Sequence, residues 1–146
     1  METIPQTFYQ RAILIDPSAL YALIDARDQY HEQAKNYLET VLRRGFPVYI
    51  TNASLIETYR LILHRLGTVR ALQFLSVIFD ADSKFRMERM TSEDEEAAKG
   101  YVRKFNDQEL TLTDAVNFAV MFRMGILTMF GFDNDCYLVG LQKAPA

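Results

Sequence analysis

A chain of 146 residues with 49% hydrophobic content suits one globular core and is short for two. Its net charge of -3 comes without a Lys/Arg tract or a low-complexity stretch, so nothing marks a disordered tail or a membrane-surface segment; nucleic-acid binding stays open, because it depends on local patches. No apolar run reaches the length of a membrane span, the start METIPQTFYQ lacks a signal-peptide pattern, and the single cysteine, Cys136, fits a reducing compartment. The expectation is a cytoplasmic protein with an N-terminal tail over 1–10 and one domain over 11–146.

In chain order, Ala12-Ile13-Leu14-Ile15 is a continuous apolar run without alternation, as in a strand buried on both faces of a parallel sheet. Asp16-Pro17-Ser18 ends it, and helical spacing follows from Ala19 to Ile24 and from His31 to Leu42, closed by Gly45. Pro47-Val48-Tyr49-Ile50 reads as a second strand. Thr51 and Asn52 offer capping side chains to a helix whose apolar positions are Leu55, Ile56, Tyr59, Ile62, Leu63 and Leu66. Gly67 breaks it, and another helix is expected from Val69 to Phe79. Alternation over residues 85–90 predicts a third strand, and Thr91-Ser92-Glu93-Asp94-Glu95 an acidic helix start running to about Phe105. Thr111 precedes a helix ending near Gly125, Ile126–Phe130 is the fourth strand, and Tyr137-Leu138-Val139 is the candidate fifth. Strands alternating with helices imply a parallel α/β sandwich.

Four acids stand at the edge of apolar runs or in the first turns of helices: Asp16, Glu57, Asp114 and Asp133. Ligands of open α/β sheets collect at the carboxyl ends of the strands, where Asp16 and Asp133 fall. Each acid also has a plainer use. Asp16 could make an Asx turn with Ser18, Asp133 could start the Asn134-Asp135 turn, Glu57 could pair with Arg60, and Thr111-x-x-Asp114 fits a capping box. A carboxylate beside buried surface carries a desolvation cost that a cation offsets, and one bound ion accounts for all four. Carboxylates without a Cys/His cluster favour Mg²⁺ or Mn²⁺ over zinc, and such ions suit phosphodiester hydrolysis.

The ordered set Ile15-Asp16-Pro17-Ser18-Ala19-Leu20, Asp28-x-x-His31-x-x-Ala34, Thr51-Asn52-x-x-x-x-Glu57, Thr111-Leu112-Thr113-Asp114-Ala115 and Phe132-Asp133-Asn134-Asp135 resembles the PIN domain, especially VapC-like ribonuclease toxins. The resemblance runs from about residue 11 to residue 140. It implies a Rossmann-like α/β/α sandwich with a central parallel sheet of four or five strands. It also implies Mg²⁺- or Mn²⁺-dependent cleavage of RNA, homodimerisation and inhibition by a cognate antitoxin. By that resemblance Asp16, Glu57, Asp114 and Asp133 coordinate the metal, Ser18 and Thr111 hold a water or a carboxylate, and Asp135 is an auxiliary or alternative fourth ligand. Pro17, where a small polar residue is more usual, and Asp135-Cys136-Tyr137, in place of a His-Phe ending, depart from the pattern.

Other residues invite readings of their own. His31 at a helix start is assigned to local capping or a surface contact, not catalysis. Cys136 reads as a small buried thiol. Between Thr58 and Phe79 lie Arg60, His64, Arg65 and Arg70 but no acid, a positive patch equally suited to RNA backbone, to a solvated face or to a dimer contact. The Tyr and Phe residues are expected mostly in the core, with Phe8 and Tyr9 of the tail against a partner. Two other functions compete with the nuclease: a phosphatase or phosphotransfer domain using Asp16 as nucleophile, and a PIN-like interaction module without turnover. The phosphatase pattern wants a second Asp where this chain has Ser18.

Overall fold

The apolar run after Arg11 forms β1 (Ile13–Ile15), buried at every position because both faces of the strand are covered. A computed structural model describes residues 11–146, so the N-terminal tail with Phe8 and Tyr9 lies outside the described residues. After β1 come α1 (Pro17–Ile24), α2 (His31–Arg43), β2 (Val48–Thr51), α3 (Asn52–Leu66), α4 (Thr68–Phe79), β3 (Phe85–Glu88), α5 (Ser92–Lys104), α6 (Leu112–Met124), β4 (Thr128–Phe130), a short 3-10 helix (Asp135–Val139) and β5 (Gln142–Ala144). The five strands pair in parallel in the order β3-β2-β1-β4-β5.

Side chains alternate across this sheet and split the core in two. Ile13, Ile15, Val48, Ile50 and Phe130 pack with residues of α1 to α4, whereas Leu14, Tyr49 and Met129 pack with Ala98 of α5 and with α6. Helices therefore cover both faces, which makes the fold an α/β/α sandwich. Each fully buried large side chain, such as Leu14, Ile15 or Ile50, contributes about 1.5–3 kcal/mol.

The order of strands matters most for the site. The chain steps outward from β1 to β2 and β3, then returns to lay β4 on the other side of β1. That reversal opens a crevice beyond the carboxyl ends of β1 and β4, the usual ligand position in such sheets. Ile15 pairs with Phe130 there, and the Asp16 amide donates to the Phe130 carbonyl at 2.9 Å.

Two expectations need correction. Tyr137-Leu138-Val139 is not the fifth strand: it lies in the 3-10 helix, whose Tyr137 amide donates to the Asn134 carbonyl at 3.1 Å, and left-handed Gly140 turns the chain into β5. The apolar stripe of α3 is also displaced. Ser54, Leu55, Thr58 and Ile62 face inward, while Ile56 (67% exposed) and Leu63 face solvent, because a polar seam occupies that interface. Phe79, Phe122 and Tyr137 are likewise exposed rather than core.

Candidate active site

Asp16 is the most constrained acid. It caps α1, with Pro17 in the first turn, where a fixed φ and a missing N–H cost a helix nothing. Pro17 thus belongs to the helix rather than to a turn before it. The Ala19 amide and the Ser18 hydroxyl both donate to Asp16 Oδ1, at 3.0 and 2.6 Å, so the expected turn with Ser18 is made and Ser18 links Asp16 to the cavity it lines. At 2% exposure, burial raises the Asp16 pKa from 3.8 to about 7; the Ser18 and Ala19 hydrogen bonds counter part of this, and Asp133 and Asp114 add to it. Behind it stands Gly131. A Cβ at that position would lie 2.1 Å from Asp16 Oδ2, so only glycine lets the backbone after β4 approach the carboxylate.

Asp114 and Glu57 come from α6 and α3. The Asp114 amide donates to Thr111 Oγ1 at 3.1 Å and the Thr111 amide to Asp114 Oδ2 at 3.4 Å, which completes the capping box anticipated from Thr111-x-x-Asp114. A buried seam joins the two helices. Thr51 Oγ1 donates to Asn117 Oδ1 at 2.6 Å, Asn117 Nδ2 donates to Ser54 Oγ at 2.8 Å, and the Ser54 amide donates back to Thr51 Oγ1 at 3.1 Å. Ser54 lies three residues before Glu57 and Asn117 three after Asp114, so the seam sits one helical turn from each acid. Burial raises the pKa of Glu57 first, then the charge of Asp114, with Arg60 offsetting part. Burial likewise raises Asp114, against its Thr111 hydrogen bonds and with the charges of Asp135 and Asp133.

Asp133 follows β4. Desolvation and the Asp135 charge push its pKa up and Lys143 pulls it back, but Asp133 is exposed, so solvent screens it more than the other three. Ser18, Glu57, Thr111, Asp114 and Asp133 line one open cavity of about 350 Å³, with Arg60, Leu61 and Arg65 on its wall. Asp16 lies beneath that lining, and Asp135 stands outside it in the 3-10 helix. Among the described residues no three acids, histidines or cysteines stand close enough to enclose an ion as placed. The oxygen-only donor set still fits Mg²⁺, which keeps several waters and takes one or two carboxylates.

Of the basic patch, Arg60 and Arg65 reach the cavity; Arg65 also sits over the Tyr21 ring at 4.8 Å. Arg70 instead donates to the Ile24 carbonyl. His31 Nδ1 donates to the Ala22 carbonyl at 2.7 Å, a part-buried bond that ties α2 to α1, in place of the local capping or surface contact expected for it. Cys136 is buried, and burial, then the Asp16 charge, pushes its thiol pKa up, away from nucleophilic use. Sequence reasoning missed Asn117 and Gly131. A glycine directly after an apolar strand was the only local signal for either.

The PIN domain profile matches residues 13–140, nearly the whole described chain. The chain belongs to the PIN domain family. Its relatives place it among the toxin-like PIN domains. It is 31% identical over 132 residues to the 23S rRNA-specific endonuclease VapC20 of Mycobacterium tuberculosis, in two strains, covering 90% of this chain and 96% of that protein. The crystal structure of Mycobacterium tuberculosis VapC20, described as a sarcin-ricin loop cleaving toxin, aligns with a TM-score of 0.78 at 29% identity, over 89% of this chain and 96% of that one. FitAcB from Neisseria gonorrhoeae shares the PIN-like fold at a TM-score of 0.66 and 12% identity, over 90% of this chain and 95% of that one.

Proposed function

We propose that this PIN domain is a Mg²⁺- or Mn²⁺-dependent endoribonuclease that hydrolyses RNA phosphodiester bonds, acting as the toxin of a type II toxin-antitoxin pair. The observation that supports the reading is the electrostatic coupling among Asp16, Glu57, Asp114 and Asp133 around the point where the sheet reverses, in a chain homologous to a toxin endonuclease.

Those four carboxylates are the groups that would hold the ion, with Asp135 as an auxiliary or alternative to Asp133. When bound, a divalent ion supplies a lowered water pKa and stabilises the charge that develops on the phosphodiester. The chain's own part is positioning. Ser18 and the Ala19 amide fix one Asp16 oxygen, Thr111 fixes Asp114, and the Thr51-Asn117-Ser54 seam holds α3 against α6. Arg60 and Arg65, on the wall of the same cavity, suit the phosphates that flank the scissile one. Single-stranded or looped RNA fits best, because a duplex would keep the phosphodiester away from the acids.

Exposed apolar surface supports two partners. Val69, Leu72, Val77 and Phe79 of α4 leave a face that a second copy would cover, in support of a homodimer. A groove lined by Ala53, Ile56, Met90, Leu112 and Val116 shares Glu57 and Arg60 with the acidic cavity, so an antitoxin segment seated there would sit against the carboxylates. The test is cleavage of a sarcin-ricin loop hairpin with Mg²⁺ or Mn²⁺. Activity that survives both Asp16→Asn and Asp114→Asn would sink the proposal.

A further inference from the structure

The cavity that holds the acids has a second wall of a different character. Tyr30, which opens α2, and Phe132, which leads into Asp133, stack with ring centroids 4.2 Å apart and an interplanar angle of 3°. Both line the cavity, beside Asp28 and Gln29. The pair is coupled closely to the acids. The Phe132 amide donates to Ser18 Oγ at 3.0 Å, and Ser18 Oγ donates to Asp16 Oδ1 at 2.6 Å, so two hydrogen bonds connect the aromatic wall to the most buried carboxylate. Tyr30 is held in turn by its own amide, which donates to Asp28 Oδ1 at 2.8 Å.

We propose that Tyr30 and Phe132 form a nucleobase platform, on which one unstacked base of the RNA beside the scissile phosphate stacks, with Asp28 and Gln29 facing its hydrogen-bonding edge. This rests on the ribonuclease reading and adds a substrate contact to it. Three features select a base over a purely structural use of the rings. The rings pack against the core on one side and border the open cavity on the other. Both are partly exposed. Gln29 supplies donor and acceptor together, the pattern of a Watson-Crick edge, while Arg60 and Arg65 of the same cavity offer the cations a backbone requires. Every base has a π-face, so the platform would fix the position of a base and leave its identity to Asp28 and Gln29.

The experiment is a cycle of protein and RNA changes. Tyr30→Leu and Tyr30→Phe are compared with the unaltered protein on a sarcin-ricin loop hairpin, and on the same hairpin with an abasic nucleotide at either side of the cleaved bond. Tyr30→Leu should lower kcat/KM roughly five- to 150-fold, mainly through KM, and Tyr30→Phe should restore it. On the RNA abasic at the stacked position the Leu change should have little further effect, because the base it would lose is already gone. A Leu effect equal on intact and both abasic RNAs, or no effect at all with the protein still cleaving, overturns the platform and leaves the nuclease standing. An unaltered protein that cleaves none of these RNAs overturns both. As a direct readout, 2-aminopurine placed at the stacked position should be quenched on binding to Asp16→Asn protein and not to Asp16→Asn/Tyr30→Leu.

Discussion

Asn117→Ala tests whether the α3-α6 seam sets the spacing of the acids. Asn117 is fully buried and makes two side-chain hydrogen bonds, accepting from Thr51 Oγ1 and donating to Ser54 Oγ. Alanine leaves the Thr51 hydroxyl without its acceptor and Ser54 Oγ without its donor, both in a site closed to water. At about 1–3 kcal/mol for each stranded buried group, and with part relieved by rotation of the hydroxyls, the loss should be about 2–4 kcal/mol. That is a large share of the 5–15 kcal/mol typical of a domain, yet it leaves a folded majority. Urea unfolding should show a lower midpoint at unchanged slope. Cleavage should suffer too, at temperatures where the variant is fully folded, because Glu57 and Asp114 each lie one turn from the seam. A loss below about 1 kcal/mol would show that the seam is not the tie described. Normal kcat and normal Mn²⁺ dependence in the folded variant would show that it does not position the acids.

Gly131→Ala places a methyl inside the Asp16 carboxylate and should abolish cleavage while secondary structure, read by circular dichroism, stays native; retained activity would refute the close approach. The pH dependence of stability in chelator has a definite sign. Asp16 is raised from 3.8 to about 7, so the folded state holds the proton more tightly and stability falls as pH rises through that window, by about 4 kcal/mol at 1.36 kcal/mol per unit, then levels off. Asp16→Asn should remove most of that slope, leaving the variant more stable than the parent at pH 8 and no more stable at pH 4; parallel curves would refute it. Arg123 donates through Nε and Nη2 to buried Asp94 at 3.0–3.1 Å and through Nη1 to Glu88 at 2.9 Å, which joins α6 to α5 and β3. Arg123→Met should cost about 1–3 kcal/mol, discounted because the guanidinium is partly open to solvent, and a thermal shift within error would show the network to be idle.

Periodicity and ordered motifs were enough to read the alternation of strands and helices, the PIN resemblance, and the positions of Asp16, Glu57 and Asp114 at element starts. Those features are local: a cap, a buried run and a breaker each act within a few residues of chain. Tyr137-Leu138-Val139 misled because a short apolar run is equally compatible with a strand and a 3-10 turn, and only the pairing of Gln142–Ala144 with β4 decides between them. Ile56 and Leu63 misled because a helix can turn a polar seam inward once another helix supplies its partners, and Asn117 lies 63 residues from Ser54 in sequence. What the sequence determined by itself was which residues could carry metal-dependent chemistry. The tertiary structure decided which of them line one cavity, how Gly131 makes room for Asp16, and that Tyr30 and Phe132 share that cavity, because those relations depend on distances between segments that no local pattern encodes.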